Sequence, residues 1–305
     1  MTTYVLRRIL LFVPTLWVIA TLSFFIVRLA PGGPFQSEKE IPAAARAQLM
    51  RTYGLDRPLP EQYVRFLANA ARGDFGVSYR YPQRQVREIV SAGFRVSAEL
   101  GGWALLLAVL AGVPLGVLAA VKRNRLADHA VMGLALAGVS VPNFVLAPLL
   151  VLIFALTLYW LPPALWNGPA SRVLPVIALS LMYVAFIARL ARAGMLEVLG
   201  QDFVRTARAK GLAEPAVIAR HALPLGVLPV VSFLGPAAAR VVMGSIVIEQ
   251  VFAIPGLGRQ LVGAAFNRDY TLVLGIVLFY AALLLVLNLL VDLAYAKLDP
   301  RVELS

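Results

Sequence analysis

Residues 197–224 read EVLGQDFVRTARAKGLAEPAVIARHALP, a basic segment between two strongly apolar regions. Its first half is built from good helix formers up to Gly211, a residue type that often follows the last turn of a helix. Arg208 and Lys210 fall in that last turn, where the helix dipole favours positive charge. Pro215 suits the first turn of a following helix. The segment therefore predicts a short helix, a sharp turn and a second helix.

Apolar runs lie on both sides of this segment and recur along the chain. Hydrophobic residues make up 60% of the sequence and charged residues 14%, whereas soluble domains are about 45–50% apolar and about 25% charged. A helix needs roughly 20 apolar residues to cross a bilayer. The candidate spans are residues 9–27, 100–121, 130–160, 173–188, 225–248 and 271–291. The sequence thus predicts an all-α integral membrane protein with six transmembrane helices.

Two of these runs need comment. The first is too long for a signal-peptide core and lacks a cleavage site, so we expect it to be retained as a span. The third is too short for two crossings. Pro142 and Pro148 are expected to kink it or to leave part of it outside the lipid.

The basic residues set the expected orientation. If the N-terminus is inside, the cytoplasmic segments hold 13 Lys and Arg residues and the two short outer loops hold 3. This bias predicts that both termini are cytoplasmic, because Lys and Arg are enriched at the cytoplasmic ends of spans. Residues 31–96 form a long external segment with 10 further basic residues, which is compatible because long segments translocate largely regardless of charge. The net charge of +12 is therefore interpreted as a topology signal rather than as a nucleic-acid surface.

The external segment contains one predicted amphipathic helix. It follows Pro58 and Pro60, and its apolar residues recur at helical spacing: Tyr63, Phe66, Leu67 and Ala70. This apolar face could pack on the membrane domain, lie in the lipid interface or meet an external partner.

Several kinds of chemistry are excluded. The chain has no cysteine, and its two histidines are His129 and His221, so thiol catalysis is excluded and metal sites are nearly so. It has no Walker A motif, no H-E-x-x-H helix and no G-x-S-x-G elbow. The acidic residues near membrane depth lie near predicted span ends and suggest no catalytic pair; they are Glu99, Asp128, Glu249 and Asp292. If nucleotide energises transport, another subunit must bind it.

The basic segment also resembles a known signature, the EAA loop of ABC importer permeases. The match runs from Ala207 to Gly211 and continues with His221 and Leu223 at the spacing of that loop. The sequence from Arg205 to Gly211 is similar to that of the dipeptide/oligopeptide branch. Arg205, Thr206 and His221 stand where the general pattern has Glu, Ala and Ile, and this branch tolerates those replacements. Similar motifs extend the resemblance over essentially the whole chain, at residues 6–8, 28–32, 73–76, 254–258, 268–270 and 299–301.

The resemblance implies the type I ABC importer permease (MetI-like) fold in a bacterial inner membrane. It implies an N-terminal cytoplasmic end and first transmembrane helix at residues 1–30, an external segment at 31–96 and a permease core at 97–295. The core has five transmembrane helices and a cytoplasmic coupling loop at 193–224, and a cytoplasmic tail follows at 296–305.

The resemblance also implies partners and roles. The chain would pair with a homologous permease, two cytoplasmic ATPase subunits and an external peptide-binding protein, and oligopeptide would be the substrate. It would lie among membrane lipids, bind no nucleic acid and hold no cofactor, since ATP and Mg would be on the ATPases. Arg208 and Lys210 would face acidic residues of an ATPase or lipid headgroups. The coupling residues would be Arg205, Thr206, Ala207, Arg208, Ala209, Lys210, Gly211, Glu214, His221 and Leu223.

Residues inside the spans leave alternatives open. Arg240 is the one charge well inside a predicted span, and such a residue suggests a functional site. It could meet peptide in a translocation cavity, or helix carbonyls or a neighbouring subunit could satisfy it. Glu249 and Asp292 are expected to cap helices or pair at the interfaces. Gly112 and Gly116 permit close helix approach, although Pro114 between them makes a kink equally plausible.

Other functions make different predictions. The same architecture serves permeases for nickel, glutathione or oligosaccharide. A standalone secondary transporter or channel predicts ion-coupling acids deep in the spans and no docking loop, and the sequence shows the reverse. A structural membrane scaffold predicts that substitution of Gly211 spares transport.

Overall fold

The computed structural model describes residues 2–29, 33–34 and 42–298. The described part is helical, apart from turns and one isolated antiparallel bridge between Val77 and Gln85. The predicted tail beyond residue 298 and the motif at 299–301 lie outside the described residues, as do residues 30–32 of the motif at 28–32.

Fourteen α-helical segments and two π-helical segments follow one another in the described residues. They are α1 Thr2–Leu29, α2 Ala43–Thr52, α3 Leu59–Ala71, α4 Val86–Val121, α5 Leu126–Ser140, α6 Asn143–Leu150 with the π-helix Val151–Thr157, α7 Pro169–Leu199, α8 Asp202–Ala209, α9 Glu214–Ala216 with the π-helix Val217–Ala222, α10 Leu223–Gly226, α11 Leu228–Gly244, α12 Ile246–Val251, α13 Leu257–Phe266 and α14 Tyr270–Leu298.

Up to six of these elements can span a membrane, which is the predicted number. Single helices supply four candidates, at Val5–Leu29, Val86–Val121, Pro169–Leu199 and Tyr270–Leu293. Two bent pairs supply the others: Leu126–Ser140 with Asn143–Thr157, and Glu214–Gly226 with Leu228–Val241. The pairs are bent by 104° and 48° respectively.

The helix bounds differ from the sequence expectation at several points. Helix α4 begins at Val86, well before the predicted span start at residue 100. The prediction missed its first turns because they are polar and fail a hydropathy criterion, although they are helical. Helix α7 likewise continues to Leu199, past Arg189 and Arg192. The third run breaks next to Pro142, as predicted, whereas Pro148 lies inside α6 and causes no break.

The chain divides into two compact units. The first comprises the described residues of Met1–Val96 and Gly256–Leu289. In this unit α3 packs on α1: the ring of Phe24 lies 5.4 Å from the rings of both Tyr63 and Phe66, measured between centroids. The amphipathic helix is therefore confirmed, and its aromatic residues pack on the first membrane helix.

The external segment of the first unit is anchored by Asp269, which is 1% exposed. Its carboxylate accepts hydrogen bonds from the Ser78 hydroxyl, from the Tyr79 amide at 3.1 Å and from the Thr271 hydroxyl at 3.0 Å. Tyr79 lies outside the spans, and burial raises the pKa of its phenol to about 12. These bonds fix the turn that precedes α4.

The second unit is built around α7, which contacts α5, α6, α10, α11 and α12. Gly112 and Gly116 of α4 also face α7. A Cβ atom at Gly116 would lie 2.4 Å from the Ala188 carbonyl oxygen, and one at Gly112 would lie 2.8 Å from the Ile187 side chain. The G-x-x-x-G pattern therefore serves close packing within this chain.

Candidate functional site

The predicted helix–turn–helix is present at residues 202–222. Helix α8 ends at Ala209, the chain turns at Lys210 and Gly211, and Pro215 lies in the first turn of α9 as expected. The amide of Lys210 donates to the Thr206 carbonyl at 3.1 Å, and the amide of Gly211 donates to the Arg208 carbonyl at 2.9 Å. These bonds satisfy carbonyls at the end of α8 and complete its C-terminus.

Helix α8 has one buried face and one exposed face. Val204 and Ala207 are buried against Val217 of the following π-helix, with Val198 and Leu199 beside them. The exposed face carries the other candidates of this helix and turn: Arg205, Thr206, Arg208, Ala209 and Lys210. The apolar face holds α8 to its own chain, and the basic face is open to a partner.

Arg208 pairs with Glu214 across the turn. Its Nε donates to Oε2 at 3.0 Å and its Nη2 donates to Oε1 at 2.7 Å, which gives a two-point ion pair. This hydrogen bond raises the pKa of Arg208 and lowers that of Glu214. The sequence expectation placed Arg208 against an acidic partner or lipid. In the structure two of its guanidinium nitrogens are already bonded to Glu214.

Gly211 owes its place to backbone conformation. Its φ is +79°, in the left-handed region that favours glycine. A Cβ atom there would meet nothing within 4 Å among the described residues. The prediction of a turn that needs glycine is confirmed, and the reason within this chain is strain rather than crowding.

The second half of the loop leads directly into the core. Arg220 and His221 lie in the π-helix Val217–Ala222, and Leu223 packs with Met195 and Ala222. Beyond it, Gly226 meets α7 at very close range: a Cβ atom at Gly194 would lie 2.3 Å from the Gly226 carbonyl oxygen. The loop is thus connected to α7 through a contact with no space for a side chain.

Two acidic residues have partners that sequence reasoning missed. Asp128 forms a two-point ion pair with Arg192, with its Oδ1 2.6 Å from Nε and its Oδ2 2.8 Å from Nη2. Glu249 is fully buried, and its Oε1 accepts hydrogen bonds from Ser97 at 2.7 Å and Ser245 at 2.6 Å. Glu249 therefore has two hydroxyl donors of the second unit as partners, and its predicted position at an interface stays a prediction.

Arg240 lies on α11 with its side chain exposed. Its Nε is 3.4 Å from the Pro236 carbonyl oxygen, the one hydrogen bond of this guanidinium among the described residues. The guanidinium carbon is 5.8 Å from the centre of the Phe233 ring. Of the interpretations given above, a helix carbonyl thus accounts for one nitrogen of Arg240, through one long contact. The other nitrogen donors can reach a group outside this chain.

Two solved structures share this fold. An amino acid ABC transporter superimposes with a TM-score of 0.55 at 17% identity, covering 69% of this chain and 94% of that chain. The MetNI methionine ABC transporter, in an inward-facing form, superimposes with a TM-score of 0.54 at 18% identity, covering 70% of this chain and 97% of that chain. The structure therefore has the MetI-like fold of an ABC importer permease, as predicted.

The family follows from the sequence matches. The model of binding-protein-dependent transport system inner membrane components matches residues 112–304, and the chain belongs to that family. The oligopeptide transport system permease protein OppB of Salmonella typhimurium is 48% identical over 305 residues, covering 99% of this chain and 100% of that protein. The dipeptide transport system permease protein DppB of Bacillus subtilis is 43% identical over 304 residues, covering 100% and 99%.

Proposed function

We propose that this chain is a membrane-spanning subunit of an ATP-driven importer of oligopeptides. The observation that carries the proposal is the 48% identity to oligopeptide permease proteins, which extends through 99% of the chain. The chain itself is a permease rather than an enzyme. A homologous permease completes the path, an external binding protein delivers the peptide, and two ATPase subunits bind ATP and Mg.

In this proposal α8 is the coupling helix. Its exposed basic face docks in a groove of one ATPase, while Val204 and Ala207 keep its other face on this chain. Closure of the ATPases then moves α8, and the close contact of Gly226 with Gly194 transmits the movement to α7. Such a rigid-body switch opens the central cavity alternately to either side, with ATP biasing one state.

Arg240 is proposed to line the translocation cavity. A guanidinium inside a span is costly in lipid, and here it is exposed beside the Phe233 ring rather than paired with an acid of the described chain. A cavity filled with water and peptide satisfies its remaining donors. The group it suits best is a carboxylate of the passing peptide, which a guanidinium binds at two points.

The proposed topology has both termini and the 193–224 loop in the cytoplasm of a bacterium, with residues 31–96 outside its inner membrane. The distribution of Lys and Arg supports this orientation. On this basis residues 1–30 hold the cytoplasmic N-terminal end and the first span, residues 97–295 form the permease core, and the tail at 296–305 is inside.

The test is uptake of a labelled tripeptide in cells that lack this chain and have no other peptide importer. The native chain should restore uptake, whereas Gly211→Trp should insert normally and fail, because the indole blocks docking of the turn. Undiminished uptake in the deletion strain contradicts the peptide assignment. Nickel, glutathione and oligosaccharide uptake in the same strains then tests the other solutes of this architecture.

A further inference from the structure

A small cavity in the first unit lies beside the end of the first membrane helix. Its volume is about 260 Å³, and its walls come from α1, α2, α3 and the start of α14. Most of the wall is apolar, including Phe25, Leu29, Met50 and Leu59. The polar groups at the cavity are Arg28, Gln62 and Tyr270.

Arg28 is held firmly in this wall. Its Nε donates to the Gln62 side-chain oxygen at 3.1 Å, and Gln62 in turn donates to the Arg57 carbonyl at 2.6 Å. The guanidinium carbon lies 4.2 Å from the centre of the Phe24 ring, within range of a cation–π contact. The side chain is therefore fixed before any ligand arrives.

One donor of this guanidinium is left unsatisfied. Nη1 of Arg28 is buried and has no hydrogen-bond acceptor among the residues that the structure describes. Burying an N–H of a cation without an acceptor is costly, and the cost is removed when an anionic oxygen binds there. Among the residues that the structure describes, no carboxylate lines the cavity to fill this role.

We propose that this cavity binds the phosphodiester of an anionic phospholipid. The phosphate accepts from Nη1 of Arg28, and the acyl chains run out over α1 toward Ile26 and Leu29, which are 66% and 82% exposed. At about 260 Å³ the cavity is smaller than the roughly 300–1,000 Å³ of small-molecule sites, which suits a headgroup whose chains stay outside.

The position of Arg28 supports a lipid rather than a soluble ligand. It is the second-last residue of the Val5–Leu29 span, so its guanidinium lies where the span meets the headgroup region. Arg side chains near helix ends commonly reach to that region. The described lining residues also include no acid, so the ammonium of a zwitterionic headgroup gains no carboxylate partner from them.

The experiment measures lipid binding to the full-length chain, purified in detergent with the subunits that copurify. Native mass spectrometry follows titration with phosphatidylglycerol. We expect one tightly held lipid per native chain and about tenfold weaker binding for Arg28→Gln, because one charge-assisted contact is lost. Arg28→Lys should be intermediate, and Arg72→Gln, at an exposed arginine outside the cavity, should match the native chain.

Competition on the native chain keeps the test independent of any variant's folding. Diacylglycerol, which lacks the phosphate, should not displace the lipid, and neither should inorganic phosphate at the same concentration. Displacement by diacylglycerol would show that only the apolar wall binds, and displacement by phosphate would show a soluble anion site; either result overturns the proposal. Equal binding by the native chain and a normally melting Arg28→Gln variant overturns it as well.

Discussion

Gly211 has a φ of +79°, and a Cβ atom there would meet none of the described residues within 4 Å, so its substitution by alanine acts mainly on the turn. Alanine in the left-handed conformation costs about 1–2 kcal/mol, which lowers the equilibrium constant for forming the native turn by roughly tenfold. We expect Gly211→Ala to insert normally and to reduce tripeptide uptake severalfold. The measurement is initial uptake rate at matched membrane levels of the chain.

Gly200 provides the matched control for this prediction. It lies at the other end of α8, its φ is −83°, and a Cβ there would be 3.6 Å from the nearest atom, an ordinary contact. Gly200→Ala should therefore keep native uptake. Equal loss in the two variants would contradict the assignment of strain to Gly211.

The Arg208–Glu214 pair allows a charge exchange that separates two roles. Arg208→Glu places two acids across the turn and should lower uptake, whereas Arg208→Glu with Glu214→Arg restores an ion pair in the reversed direction. We expect the double variant to recover most of the lost uptake, because both nitrogens that bond Glu214 serve the turn and Arg205 and Lys210 keep the docking face basic. Failure of the double variant to recover would show that Arg208 instead contacts a partner.

Arg240 predicts a change in substrate preference. If its guanidinium receives a peptide carboxylate, Arg240→Gln should lower uptake of free-acid tripeptides about tenfold or more while sparing their C-terminal amides. All strains contain the same binding protein. Its own preference therefore cancels when the ratio of acid uptake to amide uptake is compared between the variant and the native strain. Arg189→Gln, at an exposed arginine of α7, is the control. An unchanged ratio in Arg240→Gln would place Arg240 away from the peptide path.

At the scale of elements, the contact between α7 and α10 is the proposed route from the loop to the spans. A Cβ atom at Gly194 would lie 2.3 Å from a backbone oxygen that cannot move aside easily. Gly194→Ala should therefore push the two helices apart, at a cost in stability of about 1–3 kcal/mol. We expect ATP hydrolysis by the purified assembly to continue while tripeptide uptake falls severalfold.

The control for this variant is Gly133→Ala on α5, where a Cβ atom meets nothing within 4 Å. It should leave both activities unchanged. Retention of native coupling in Gly194→Ala would exclude this contact as the route of movement.

The sequence predicted those elements whose signals are local. The turn at Gly211, the helix start at Pro215 and the break beside Pro142 follow from capping and proline chemistry within a few residues. Amphipathic spacing likewise predicted α3. Hydropathy placed the spans but missed the polar first turns of α4.

Contacts between distant parts of the chain could not be predicted in this way. Ser97 and Glu249 are far apart in sequence, and neither residue carries a local signal of the other. The same holds for the bond between Asp128 and Arg192. Helical spacing hints that small residues such as Gly194 lie at a packed face, but it does not identify the helix that they meet.

For the whole molecule, the family and fold indicate that this chain is one subunit of a larger transporter. Its described residues include no group of three or more His, Asp and Glu side chains placed to hold a metal ion. Membership of the permease family places ATP hydrolysis on partner subunits, and the proposal places their docking on the exposed face of α8. An importer of this kind uses ATP bound by its partner subunits, whereas a secondary transporter uses an ion gradient.

The most direct test is accumulation of a labelled tripeptide by proteoliposomes that contain the purified assembly and the binding protein. With ATP on the side of the ATPases, the account predicts that peptide accumulates above its external concentration, and that a proton or sodium gradient without ATP gives none. Accumulation driven by an ion gradient in the absence of ATP would contradict the account.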